Sequence, residues 1–86
     1  GLYHFAVLLP DRPALARAVQ SLVNHGWPID GAADHGVSEA VYLRDPDQNG
    51  IELYRDRPHP EWPHDADGNL VMFTAPLDMD DLLKSS

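Results

Sequence analysis

The sequence has no cysteine, few cations and no long apolar run, and each of these absences excludes something. Without cysteine there is neither a disulfide framework nor a thiolate metal site, so any metal must be held by histidine, carboxylate or tyrosine oxygen. That chemistry fits a reducing cytoplasm. Only 6 lysines and arginines stand against 14 acidic residues, for a net charge of −8 over 86 residues. This is the wrong sign for a phosphate-binding surface, so neither nucleic acid nor an anionic membrane is expected as a partner. A small ligand or another protein remains. The longest apolar stretch, Phe5-Ala6-Val7-Leu8-Leu9, falls far short of the roughly 20 residues a bilayer span needs, and no basic segment precedes it. The chain therefore reads as soluble. No glycine-rich phosphate loop, nucleophile elbow or HExxH pattern occurs. Neither does an initiator methionine, and Gly1-Leu2-Tyr3 leads almost directly into a strand, as a fragment of a longer protein would.

Residues 3–9 are aromatic and aliphatic and stop at Pro10, which predicts a strand buried on both faces. Asp11 is a capping residue and Pro13 suits a first helical turn, while Leu15, Val19, Leu22 and Val23 form one apolar stripe ending at Gly26. His25 beside the carbonyl end is accounted for by the helix dipole. Trp27-Pro28-Ile29 and Gly31-Ala32-Ala33 suggest a weak second strand, with Pro28 pointing to a sheet edge. Residues 39–44 and 51–55 alternate in polarity about the turn Asp45-Pro46-Asp47-Gln48-Asn49-Gly50 and predict a hairpin. The order is strand, helix, then three strands. A right-handed first crossover and hairpin pairing favour a four-stranded mixed curved sheet, an α+β fold with the first strand parallel beside the fourth. Residues 1–58 form this βαβββ unit. Residues 59–86, rich in proline, read as an extended tail with a short acidic helix.

Alternation sorts the strand residues into faces. Phe5, Val7 and Leu9 oppose His4, Ala6 and Leu8; Val41 and Leu43 oppose Ala40 and Tyr42; Ile51 and Leu53 oppose Glu52 and Tyr54. With the aliphatic set beneath the helix, His4, Tyr42, Glu52 and Tyr54 share the open face. His4 and Glu52, each near the start of its strand, are expected about 5 Å apart on neighbouring strands. An imidazole and a carboxylate so placed suit a divalent ion, with a third ligand needed from elsewhere. A satisfied histidine and a solvated carboxylate explain the same two residues. His35 fits an exposed turn, His59 and His64 lie in the tail, and Tyr42 and Tyr54 are ordinary strand aromatics by default.

Gly1-Leu2-Tyr3-His4-Phe5-Ala6, the run Asp34-His35 through Tyr42-Leu43, Asp45-Pro46-Asp47 and Asn49-Gly50-Ile51-Glu52-Leu53-Tyr54 resemble the second module of catechol-2,3-dioxygenase-like members of the vicinal-oxygen-chelate superfamily. Glu61-Trp62-Pro63 and Pro76-Leu77-Asp78 extend the likeness into the tail. Residues 35–52 also approximate the signature of extradiol ring-cleaving dioxygenases, with departures at Gln48, where the family usually has glycine, and at Ala33. The resemblance implies half of a two-module barrel. In it His4 and Glu52 would be metal ligands, and the third would be a histidine from the absent first module. Tyr42 and His35 would be catalytic residues near the substrate oxygens, with the His35 register open. The implied cofactor is a divalent metal, Fe(II) foremost, with Mn, Zn or Ni as alternatives; the implied substrate is a small aromatic with vicinal oxygens. Ring cleavage is the leading function. A glyoxalase-type isomerase or a metal-free, drug-sequestering binding protein are the alternatives, and pairing with a first module or as a homodimer is expected.

Overall fold

In the computed structural model, which describes residues 3–86, the order is β1 (His4–Leu8), α1 (Arg12–Asn24), β2 (Gly31–Asp34), β3 (Ser38–Arg44), β4 (Gly50–Asp56), a 3-10 turn (His59–Glu61), β5 (Ala75–Pro76) and α2 (Met79–Leu83). The strands form one sheet in the order β1-β4-β3-β2-β5. β1 runs parallel to β4, and every other pairing is antiparallel. The parallel neighbour and the hairpin are as expected. The sheet has a fifth strand that the four-stranded expectation lacked: Ala75 and Pro76 of the tail pair with Asp34 and Ala33. Two residues beside a proline carry no alternation to read. Among the described residues no helix is long and apolar enough to cross a membrane.

α1 begins where Asp11 accepts a hydrogen bond from the Ala14 amide at 2.9 Å, which satisfies one of the first-turn donors. It ends at Gly26, whose φ of +70° a side chain would resist. The His25 ring Nδ1 lies 2.6 Å from the Ser21 carbonyl, so the imidazole caps the last turn. Leu15, Ala16 and Val19 are fully buried against Val41 and Leu82. Val23, expected in this stripe, is exposed because the helix has run past its cover by its last turn. Leu82 comes from α2, and Leu77, Met79 and Leu83 pack on the same cluster, so residues beyond 58 complete the core under α1.

The largest correction concerns β1. All five of its residues are exposed, including Phe5 at 52%, Val7 at 43% and Leu8 at 55%. It is an edge strand with β4 on one side, and the helix layer lies over the middle of the sheet; only Leu9, just past its end, reaches the core. An unbroken apolar run marks a strand with two apolar surroundings, and here both are missing from the described residues.

Candidate functional site

The helix-free face of β1, β4 and β3 carries a cavity of about 340 Å3 lined by His4, Tyr42 and Glu52 together with Asp30, Arg44, Gly50 and neighbouring backbone. Tyr42 stands directly opposite Glu52 across the β3–β4 ladder. His4 is opposite Gly50, and Ala6 is opposite Glu52, so His4 and Glu52 share a face on a diagonal. With strands about 4.8 Å apart and a rise of about 3.3 Å per residue, that diagonal is about 8 Å between Cα atoms. This corrects the expected spacing of 5 Å: position within a strand does not fix the register of a parallel pair. The two side chains still open into one cavity. Tyr54 shares their parity without lining it.

His35 joins this face from the turn after β2. Its amide donates to the Ser38 carbonyl at 2.8 Å, and Gly36 turns the chain at φ +82°. Asp34 fixes the turn from beneath, accepting the Gly36 amide at 2.8 Å and two bonds from the Arg57 guanidinium at 2.7 and 2.9 Å. The hydrogen bond from Arg57, opposed by burial, holds the Asp34 carboxyl below the usual carboxylate range. So framed, the His35 ring places Nε2 3.1 Å from the Tyr42 hydroxyl and Nδ1 3.3 Å from the Thr74 hydroxyl. Burial raises the Tyr42 phenol above its ordinary value, and hydrogen bonding and charge from Glu52 raise it further. The tautomer of the His35 ring sets which partner donates at each of its two contacts. Two hydrogen bonds thus join Thr74, His35 and Tyr42, with Glu52 opposite Tyr42 on the ladder, and His35 also borders a second cavity, of about 440 Å3, lined by Val37, Ser38, Met72, Phe73 and Thr74.

The other histidines lie elsewhere. His59 packs edge-on against Trp62 with ring centroids 4.1 Å apart, and His64 bridges to Leu70. On the helix-facing side is a cluster the sequence reading did not single out: Glu39, 1% exposed, pairs with Arg55, 7% exposed, and with Arg12 at 3.0 Å. The signal was available. Glu39 shares the parity of Val41 and Leu43, and Arg55 that of Ile51 and Leu53, so alternation alone put both charges toward the core.

The sequence profile of the glyoxalase/bleomycin resistance protein/dioxygenase superfamily matches residues 1–53. The chain belongs to this superfamily. It is also 55% identical, over all 86 residues, to a catechol-2,3-dioxygenase of Bacillus subtilis strain 168, of which it spans 30% of the length. No solved structure matches it significantly. For a superfamily member, the open sheet with helices on one side is compatible with half of a barrel. The pair His4 and Glu52, an imidazole and a carboxylate, fits a hard or borderline divalent ion. Among the described residues no three histidine, aspartate or glutamate side chains converge; Asp30, also in the lining, is paired with Arg44 at 3.1 Å, and His4 and Glu52 remain as the donor pair on neighbouring strands.

Proposed function

We propose that this chain is the half of a metal-dependent, catechol-2,3-dioxygenase-like enzyme that carries two of the three ligands, His4 and Glu52. The observation that carries the reading is the one cavity that His4, Tyr42 and Glu52 line together, with the Tyr42 hydroxyl 3.1 Å from His35 Nε2. The relative's name, shared at 55% identity, supplies the substrate class: a small aromatic with two vicinal oxygens. When bound, Fe(II) would supply the charge that chelates those oxygens and the redox chemistry with dioxygen; Mn, Zn and Ni suit the same donors.

The chain's own residues then have separable tasks. His4 and Glu52 hold the ion, one neutral and one charged. Tyr42, its proton retained, offers a hydrogen bond at the substrate's oxygens. His35 Nε2, 3.1 Å from the Tyr42 hydroxyl, is placed to exchange a proton with the group there. This pair favours ring cleavage over a glyoxalase-type isomerase, which needs the ligands alone, and the ligand pair itself speaks against a metal-free binder. The third donor comes with a first module or a second copy of the chain, set against the exposed apolar β1. Because the chain spans 30% of its relative, the complete reaction belongs to that larger assembly.

The test is anaerobic Fe(II) binding by the parent, His4→Ala and Glu52→Ala chains, followed by catechol and air and optical detection of the ring-opened product. Binding lost in both variants, with product from the parent once its partner is supplied, is expected. Equal binding by all three chains would remove the site.

A further inference from the structure

We propose that Gly50 is a positioning residue for His4, its absent side chain providing the seat on which the imidazole rests. The proposal rests on the reading of His4 as a ligand and adds what holds that ligand in place. A Cβ built at position 50 would lie 2.5 Å from both Cε1 and Nδ1 of His4 and 3.3 Å from its Cγ. Ordinary contacts between such atoms are about 3.5–4.0 Å, so ring and side chain cannot both occupy this space.

The glycine is not there for its backbone freedom. Among the described residues those at positive φ are Gly26, Gly36, Gly68 and Gln48, and Gly50 is not one of them. It is the first residue of β4, paired with His4 on one side and Arg44 on the other. Its amide donates to the Tyr3 carbonyl at 2.9 Å, so the backbone under the ring is held by the ladder on both flanks. His4 is exposed and hinged at χ1 and χ2. When the two compete for space, the imidazole moves and the strand stays. The register makes this consequential: His4 faces Gly50 and not Glu52, so the ring reaches the shared cavity by lying over the position that β4 leaves bare. As a turn signal next to Asn49, Gly50 looked like loop chemistry. The left-handed turn position is in fact filled by Gln48, which leaves room for His4 as the physical reason for glycine at 50.

Gly31 supplies an internal control. It also lies in a strand of this sheet with no positive φ, and a Cβ built there meets nothing within 4 Å. The experiment compares the parent chain with Gly50→Ala, Gly31→Ala, His4→Ala and the double variant His4→Ala/Gly50→Ala. Far-UV circular dichroism and thermal unfolding follow the fold, the imidazole Cε1–Hε1 resonance of His4 and its cross-peak to the residue-50 Hα follow the ring, and titration with Co(II) follows binding. Gly50→Ala should keep the parent's circular dichroism, displace the His4 resonance, lose the cross-peak and lower Co(II) affinity by about tenfold or more, the range for a lost orienting contact. Gly31→Ala should match the parent throughout.

A Gly50→Ala chain with the parent's His4 resonance and Co(II) affinity would overturn the proposal, and so, where His4→Ala weakens Co(II) binding, would a displaced ring with unchanged affinity. If Gly50→Ala fails to fold, the double variant decides: recovery on removing the ring supports the clash, and continued unfolding refutes it. Equal Co(II) affinity in the parent and His4→Ala would instead overturn the metal reading, and the His4 resonance in Gly50→Ala then settles the seat by itself.

Discussion

Gln48 occupies the left-handed region at φ +67°, in the turn that Asp45 ties to Asn49 through its carboxylate. A side chain there is strained by about 1–2 kcal/mol, and glycine removes most of that while costing about 0.5–1 kcal/mol of chain entropy. Gln48→Gly should therefore stabilise the chain by roughly 0.5–1 kcal/mol in urea unfolding, whereas Gln48→Val should destabilise it. The turn was legible from composition; the departure at 48 showed only against the family's usual glycine, and the positive φ behind it only in the structure. Asp34 gives a pH-dependent case. Arg57 lowers its carboxyl below 3.8, so its contribution is fully present above the unfolded value and is lost as pH falls through the folded one. In acid unfolding below about pH 4, the parent should lose about 1–3 kcal/mol that Asp34→Asn, already weaker at neutral pH, does not lose further.

Charge also decides how the two helices are held. Arg12, at the start of α1, donates to buried Glu39 at 3.0 Å, to Asp81 of α2 at 2.9 Å and to Ser85 at 2.6 Å. Burial lowers the Arg12 pKa, but hydrogen bonds and charge from Glu39 and Asp81 outweigh it and the net shift is upward. The two carboxylates differ in worth. Glu39→Ala strands Arg55 inside and should cost about 3–5 kcal/mol, while Asp81, 65% exposed, should cost under about 1 kcal/mol as alanine. Apolar packing shows the same contrast: Leu82→Ala should cost about 2–5 kcal/mol and Val23→Ala about 0.5 or less, both read from chemical denaturation. α1 and the β3–β4 hairpin were legible because capping, period and turn chemistry act within a few residues. The seat of α2 was not, since Leu82 gains its partners from α1 and β3, distant in sequence. His35 was ambiguous for the same reason: its framing partner Arg57 and its neighbour Thr74 carry no local signature.

At the scale of the molecule, β1 presents an outer edge of unpaired backbone and three exposed apolar side chains. On the proposed reading a second module or a second copy covers it. Sedimentation should show concentration-dependent association of the chain that Val7→Lys abolishes without lowering the melting temperature; a parent that stays monomeric throughout would count against self-pairing. The placement of β1 also sets an order in time. Its ladder to β4 begins where Tyr3 meets Asn49 across 46 residues, whereas β3 and β4 meet across a short turn. Closing the longer loop costs more entropy, and β1 repays little of it by burial. The hairpin bearing Tyr42 and Glu52 should thus form early and the strand bearing His4 last. By the same accounting β1 detaches first, so its amides should exchange with solvent through a low-energy local opening. An ion gripping both His4 and Glu52 would slow that exchange, making occupancy of the site and residence of the edge strand one equilibrium.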